Sequence, residues 1–339
     1  MIGLKHKKVV RKAKNNIPLM IILWILVIAI VFIGIWVQNN LLIANETVYA
    51  VNYLPKSLVG TRIVHISDIN NIDIGEAIKA LNFNPDFVVI SGGFKDKNGN
   101  YDISKKVVKQ LADKTTVYYC YNNNDGNEDF LRDTGAINIT GTTVEYAAEQ
   151  KTAEQFIKDV YGDEILNKAS NNDEKSVEYI EYIKEALKTS VEAKIAISGL
   201  KVPEGDNISA LNFLNSVTDK IHADYHISTL SDVRLIDNIS KSRMDLVLTG
   251  GTYGTNKIDS RFSKGEYNFN GTEFMVCGGI GTDGETTRVF NFPEIQCITL
   301  SDGTIVNHNP LEKLFGAFMG DVGTIFDNDG GFKEYTYSF

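Results

Sequence analysis

Residues 61–93 read TRIVHISDINNIDIGEAIKALNFNPDFVVISGG, and this stretch decides the fold class. Two apolar, β-branched runs, Ile63–Ile66 and Phe87–Ile90, bracket a short helix-like segment, GEAIKALN (75–82). A strand, a helix and a strand at this spacing form a parallel βαβ unit, because parallel neighbours need a crossover connection. The second run has no polar residue, as suits a strand covered on both faces. Working toward the C-terminus, ISKKVVKQLAD (103–113) and TTVYYCY (115–121) repeat the alternation. Strand signals then return in AKIAISGL (193–200), DYHIST (224–229), MDLVLTG (244–250), EFMVCGGIG (273–281) and EIQCITL (294–300). A βαβ first half and a β-heavy second half predict an α/β fold with two mixed β-sheets packed as a sandwich and flanked by helices.

Between the halves, about residues 145–188, lies a charged stretch of helical period. Phe156, Ile157 and Val160 share one segment; Val177, Ile180, Ile183 and Leu187 share the next. NNDEKSVEYIEYIKEALK (171–188) opens on a capping Asn-Asp and closes on Lys. This reads as an inserted helical hairpin, either a solvated lid or a partner-docking surface.

Toward the N-terminus, Ile17 to Val37 carry no charge. At ~1.5 Å rise per residue they reach about 31 Å, enough to cross a bilayer. Pro18 falls in the first turn, where its missing N–H costs little, and Trp36 falls at an interface. Lys5, Lys7, Lys8, Arg11, Lys12 and Lys14 precede the span, and the next cation is Lys56. The positive-inside rule then puts residues 1–16 in the cytoplasm and everything after about Gln38 outside, a single-pass protein of the cell membrane. A cleaved signal peptide has a shorter apolar region and a small-x-small site, and Leu42-Ile43-Ala44 is an imperfect one. The expected organisation is a basic tail (1–16), a transmembrane helix (17–37), a linker and first strand (38–60), the main domain (61–302) with its insertion, and a C-terminal extension (303–339).

Composition narrows the function. The 339 residues are 43% hydrophobic and 23% charged, with 6 Pro and 28 Gly, which excludes collagen-like and wholly disordered chains. The net charge is −9 even with the basic tail counted, so the exported part has no stripe to neutralise phosphates and no nucleic acid is expected as partner. Cys120, Cys277 and Cys297 are too few for a disulfide framework. They read as buried apolar residues, with a Cys277 to Cys297 bridge as the alternative.

The segments YLPKSLVGTRIVHISDIN, NPDFVVISGG, VYYCYNNND, MDLVLTGGTYG and GGIGTDGETTRVFNFPEIQCITL, in this order, resemble the calcineurin-like metallophosphoesterases, in particular their membrane-anchored bacterial branch. The resemblance spans about residues 48–300 and implies the two-sheet sandwich. In active members it implies two metal ions about 3.5 to 4 Å apart that clamp a phosphate and activate a water. The implied motifs are Asp-x-His, Gly-Asp, Gly-Asn-His, a lone His and Gly-His-x-His. Here SDIN keeps Asp68 but has Asn70 for His, and SGGF has Gly93 for the bridging Asp. NNND keeps Asn123 but has Asn124 for His; HIST has Thr229 for the lone His; GGTYG has Gly251 and Tyr253 for both histidines. Loss of one group beside a ligand already costs about 10 to 100-fold in metal affinity, and here most of the ligands themselves are replaced.

The expected function is therefore a catalytically inactive pseudoenzyme, a binding or regulatory module that meets an envelope protein or glycan and needs no cofactor. One carboxylate and one amide, Asp68 and Asn123, would at best hold a hydrated divalent metal weakly. Alternatively, Asp125 and His226 join these two in a rebuilt site that hydrolyses an envelope phosphoester. His222, Asp224 and His226 alternate on one strand face and could bind metal, or are simply solvated groups. Asp96, Asn98, Asn100 and Asp102 start like a calcium loop, but Tyr101 and Val107 stand where Gly and Glu are required. His65, inside its strand, reads as structural.

Overall fold

A computed structural model describes residues 17–81, 83–122, 125–126, 129–148, 152–161, 163–171, 173–188, 193–200, 207–253, 261–282, 288 and 291–303. The basic tail, the extension beyond residue 303, Asn123 and Asn124 lie outside the described residues.

The chain opens with helix α1 (Ile17–Asn40), apolar around its whole circumference. Its side chains from Met20 to Val37 are exposed almost throughout, Trp24 and Trp36 included, so no protein core covers them. By length and composition it is able to span a membrane. Strand β1 (Ile43–Ala50) follows after two residues, inside the segment read as a linker. Next come β2 (Arg62–Ile66), α2 (Gly75–Ala80), β3 (Phe87–Ile90), α3 (Asp102–Ala112), β4 (Thr116–Tyr119), β5 (Ile137–Asn138) and β6 (Thr143–Ala147). The insertion contains three helices, α4 (Ala153–Tyr161), α5 (Asp163–Ser170) and α6 (Glu174–Lys188). The second half supplies β7 (Lys194–Gly199), α7 (Asn207–Lys220), β8 (Tyr225–Leu230), α8 (Ile236–Ile239), β9 (Leu246–Thr249), β10 (Gly265–Phe269), β11 (Thr272–Val276) and β12 (Glu294–Ser301).

These strands form two six-stranded mixed sheets, ordered β1-β12-β2-β3-β4-β5 and β10-β11-β9-β8-β7-β6. The central strands are parallel and in register, Ile66 beside Ile90 and Ile90 beside Tyr119 in the first, Ile227 beside Leu246 in the second. Every residue of β3 and of β9 is buried, as suits the apolar runs Phe87–Ile90 and Leu246–Leu248. Strand β10 pairs antiparallel with β11 through Asn270 and Gly271, both at positive φ, the conformation that a tight two-residue hairpin demands. One face of the second sheet packs Leu230, Val247, Phe274 and Val276 against Ala210 and Leu214 of α7 and Ile236 and Ile239 of α8.

The chain divides into two compact units. The first comprises residues 1–45, 63–146 and 194–296 and holds most of both sheets; the second comprises 46–62, 147–193 and 297–339 and holds α4–α6. In the second unit Phe156, Ile157 and Ile183 are buried, and Asp173 caps α6 by accepting from the Ser176 amide (3.0 Å) and hydroxyl (2.6 Å).

In the first unit the sheets are tied by a polar bridge. His65 of β2 bonds Gln296 of β12 (2.7 Å), whose amide nitrogen donates to the Val276 carbonyl of β11 (3.1 Å). They also meet at Gly250, which follows β9 and touches Ser67, which follows β2. A Cβ at Gly250 would come 2.6 Å from the Ser67 Oγ and 3.0 Å from the Ser91 Oγ. Gly250→Ala is expected to destabilise the detergent-solubilised protein by about 2 to 3 kcal/mol through overpacking. A urea midpoint equal to wild type would mean that this contact is not closed.

Candidate functional site

Four loops gather where the parallel strands end: Ser67–Asn71 after β2, Ser91–Lys95 after β3, Gly250–Tyr253 after β9 and Cys277–Gly281 after β11. Asp68, Asn70 and Asn71 all have positive φ, which short Asx side chains tolerate better than most. This twist turns the amides of the first loop onto the second: Asp68 N donates to Gly92 O (3.0 Å), Asn70 N to Gly93 O (2.7 Å) and Asn71 N to Phe94 O (3.0 Å). The Asn71 side chain then caps α3 by accepting from the Ile103 amide (2.8 Å).

Asp68 lies at the centre, 1% exposed. Its Oδ2 accepts from the Gly251 amide (2.9 Å), while its Oδ1 is buried without a hydrogen-bond partner. Burial pushes its pKa up to about 7, against the Gly251 and Tyr253 amides and the Arg288 guanidinium, which pull it down. Backbone fills the space around the carboxylate. A Cβ at Gly93, whose φ is +75, would lie 2.6 Å from the Asp68 Cα and 2.7 Å from its Oδ1. A Cβ at Gly279 would lie 2.7 Å from Oδ2. Gly251, at φ +80, is pressed against the Ser231 carbonyl.

Asp125 is also buried, and its two oxygens accept from four backbone amides: Gly93 (3.0 Å), Phe94 (2.7 Å), Lys95 (3.2 Å) and Asn122 (3.0 Å). It clasps the loop after β3 to the loop after β4. Burial raises its pKa, and those amides oppose the rise.

The structure thus brings together Asp68, Gly93, Gly251, Tyr253 and Asp125. Asn70 joins their rim, its Nδ2 donating to Thr282 O (3.0 Å). Thr229 is buried in β8 near the same strand end, with its Oγ1 unpartnered. His226 sits at the other end of β8, where its amide donates to Asp245 (2.7 Å) and its Nε2 lies 3.3 Å from Ile221 O. The Asp245 carboxylate raises its pKa. Asp224 accepts from the Lys194 amide there (2.8 Å), and Asp96 accepts from the amides of Asn98 and Asn100 (2.8 and 2.9 Å) in an exposed turn. Among the described residues, no three His, Cys, Asp or Glu side chains are grouped as metal ligands. Among the described residues, Asp125 is committed to amides and backbone occupies the flanks of Asp68.

Arg288 takes a part that its motif alone did not disclose. It is 1% exposed, and its guanidinium donates to the carbonyls of Gly278 (2.7 Å), Gly279 (2.9 Å) and Gly281 (2.6 Å), fixing the loop that leans on Asp68. Burial lowers its pKa. Glu294 braces the same loop by accepting from the Gly278 amide (2.8 Å) and from Lys264 (3.2 Å). Cys120, Cys277 and Cys297 are buried free thiols, and burial pushes Cys277 and Cys297 up to about 12.

No protein-family model matches this chain, and no curated protein does. Among solved structures, the phosphopantetheinyl hydrolase of Mycobacterium tuberculosis aligns over 66% of this chain and 91% of its own, at 9% identity and a TM-score of 0.29.

His65 and Asp68 oppose one another in pH dependence. His65, fully buried between Gln296 and Ser91, has its pKa lowered from 6.5 to about 4 by burial. Between about pH 4 and 6.5 the unfolded chain holds this proton and the native state does not, so His65 adds stability as pH rises. Asp68, raised from 3.8 to about 7, keeps a proton in the native state that the unfolded chain has lost, so it subtracts stability as pH rises through that window. Between pH 4 and 6.5 the contributions of His65 and Asp68 to the wild-type profile therefore nearly cancel. Asp68→Asn should uncover a rise of about 3 kcal/mol over this window, and His65→Gln a fall of similar size. Urea midpoints at half-unit pH steps check both; parallel profiles for wild type and variants would refute the burial of these charges.

Proposed function

We propose that this chain is a membrane-tethered, extracytoplasmic protein of the calcineurin-like phosphoesterase fold, catalytically inactive, that serves as a binding or regulatory module at the cell envelope. α1 supplies the tether, and the cations ahead of it argue for a cytoplasmic N-terminus. The observation that carries the reading is the backbone packed around Asp68: at Gly93, where the resemblance calls for a bridging carboxylate, even a Cβ has no room. Drift at a ligand would leave a hole, whereas here the loops have closed into the space and satisfied one another. The partner of such a module is an envelope protein or glycan.

A second reading has one observation in its favour. A buried carboxyl with a pKa near 7 and an unpartnered Oδ1 is a frequent attribute of catalytic groups. It would make the chain a phosphoester hydrolase with a site rebuilt around Asp68, without His226, which stands at the other end of β8, or Asp125, whose oxygens are held by amides.

Calorimetric titration of Mn²⁺, Zn²⁺ and Ca²⁺ into the full chain in detergent separates the two. The expected result is no binding tighter than about 1 mM, unchanged in Asp68→Ala. Micromolar binding abolished by Asp68→Ala would overturn the inactive reading. Gly93→Asp, which restores the missing carboxylate, is expected to destabilise the fold and confer no metal affinity.

A further inference from the structure

We infer that the end of the sheets carrying Asp68 faces the bilayer, with Arg288, Asn291 and Pro293 at the level of the lipid headgroups. This deepens the proposed function and rests on its reading of α1 as a membrane helix. Three observations, all within the first compact unit except where strands run on, lead to it.

The helix enters the domain without slack. Only Leu41 and Leu42 separate α1 from β1, and the Ile43 amide donates to the Pro293 carbonyl (3.0 Å). Asn39, in the last turn of α1, grips the backbone of Arg288 on both sides: its Nδ2 donates to Arg288 O (3.3 Å) and its Oδ1 accepts from Arg288 N (3.2 Å). Strand direction then fixes which end this is. Gln296 lies beside His65, and Leu300 exchanges backbone bonds with Gly60 and Thr61, so β12 runs antiparallel to β2. Its first residues therefore lie beside the end of β2, where Asp68 stands. Arg288 spans the remaining gap, its backbone held by the membrane helix and its guanidinium by the glycine loop that leans on Asp68.

The chemistry of the rim names the partner. Asn70, Asn71, Thr282 and Asn291 are half-buried and uncharged, on a chain whose net charge is −9. Asn70 Nδ2 is held by Thr282 O and Asn71 Oδ1 by the Ile103 amide, so this rim can enter the headgroup layer without stranding these groups, and an acidic chain gains nothing from anionic lipid. The contact is thus made by the tether, and it is indifferent to headgroup charge. The other end of the strands, where His222 is exposed, stands about 17 to 20 Å further off, a strand of five or six residues at ~3.3 Å each.

The test uses the full chain in phosphatidylcholine nanodiscs with a nitroxide on one introduced cysteine, the three native thiols being buried. Ile30→Cys reports α1, Phe292→Cys the cleft end, with Thr282→Cys as a second probe of it, and His222→Cys the far end. Collision with oxygen against a water-soluble nickel chelate gives the depth of each. Ile30 is expected in hydrocarbon, His222 in water, and Phe292 or Thr282 several-fold more shielded from nickel than His222, equally in discs containing anionic phosphatidylglycerol. Adding Asn39→Ala is expected to return Phe292 toward aqueous values with Ile30 unmoved. Phe292 and Thr282 as open to nickel as His222, with Ile30 in lipid, would overturn the inference alone. Ile30 in water would overturn the membrane reading and the inference with it.

Discussion

A carboxylate held between two glycine loops is the constraint on which the cleft end of this protein depends. Asp68 stands in left-handed conformation at the end of β2, and the loops after β3 and β11 lean on it from opposite sides through Gly93 and Gly279. Neither loop could come so near with a side chain at these positions. The approach in turn lets the amides of Asp68, Asn70 and Asn71 pair with Gly92, Gly93 and Phe94, and lets Gly281 N reach Asp68 O (2.7 Å). The polar backbone of these loops is thus consumed internally.

Burying that carboxylate is costly, and the structure answers with diffuse stabilisation in place of a salt bridge. The Gly251 and Tyr253 amides and the Arg288 guanidinium offset part of the desolvation, and what remains appears as a pKa near 7. Arg288 spends its own hydrogen bonds on three carbonyls, so its charge stabilises Asp68 without being pinned to it. Asp125 shows the contrasting solution, with four backbone amides converging on one buried carboxylate.

The strand framework was legible because buried parallel strands write themselves as apolar runs, as in Phe87–Ile90 and Leu246–Leu248. β1 was less so: IANETVYA mixes polar and apolar residues because it lies at a sheet edge with exposed and half-buried positions. The insertion, read as a hairpin, has three helices, and Gly162, a poor helix former, falls between the first two in sequence. At the site, the glycines at 93 and 251 were legible as departures from a motif, but what they make room for was not. Arg288 and Asn39 could not have been paired from sequence, because their bond joins residues 249 positions apart. Asp125 looked like a spare ligand; only the loop geometry sets its oxygens on amides.

Chain order makes helix α1 and the cleft share an end. β12 is antiparallel to its neighbour β2, so its start must lie where β2 stops. β1 runs parallel to β12, since Ile43 bonds Pro293 and Val51 bonds Ser301, and therefore starts there too. A helix feeding directly into β1 has no choice but to arrive beside the loops around Asp68. Near a bilayer, backbone groups left to water lose that partner as the headgroup layer closes over them, and unsatisfied amides become expensive. Loops whose amides already bond one another suit this position, whereas a metal site open toward the lipid would need hydration for its entry and exchange. The closing of the glycine loops is thus consistent with the proposed orientation of α1 toward the bilayer.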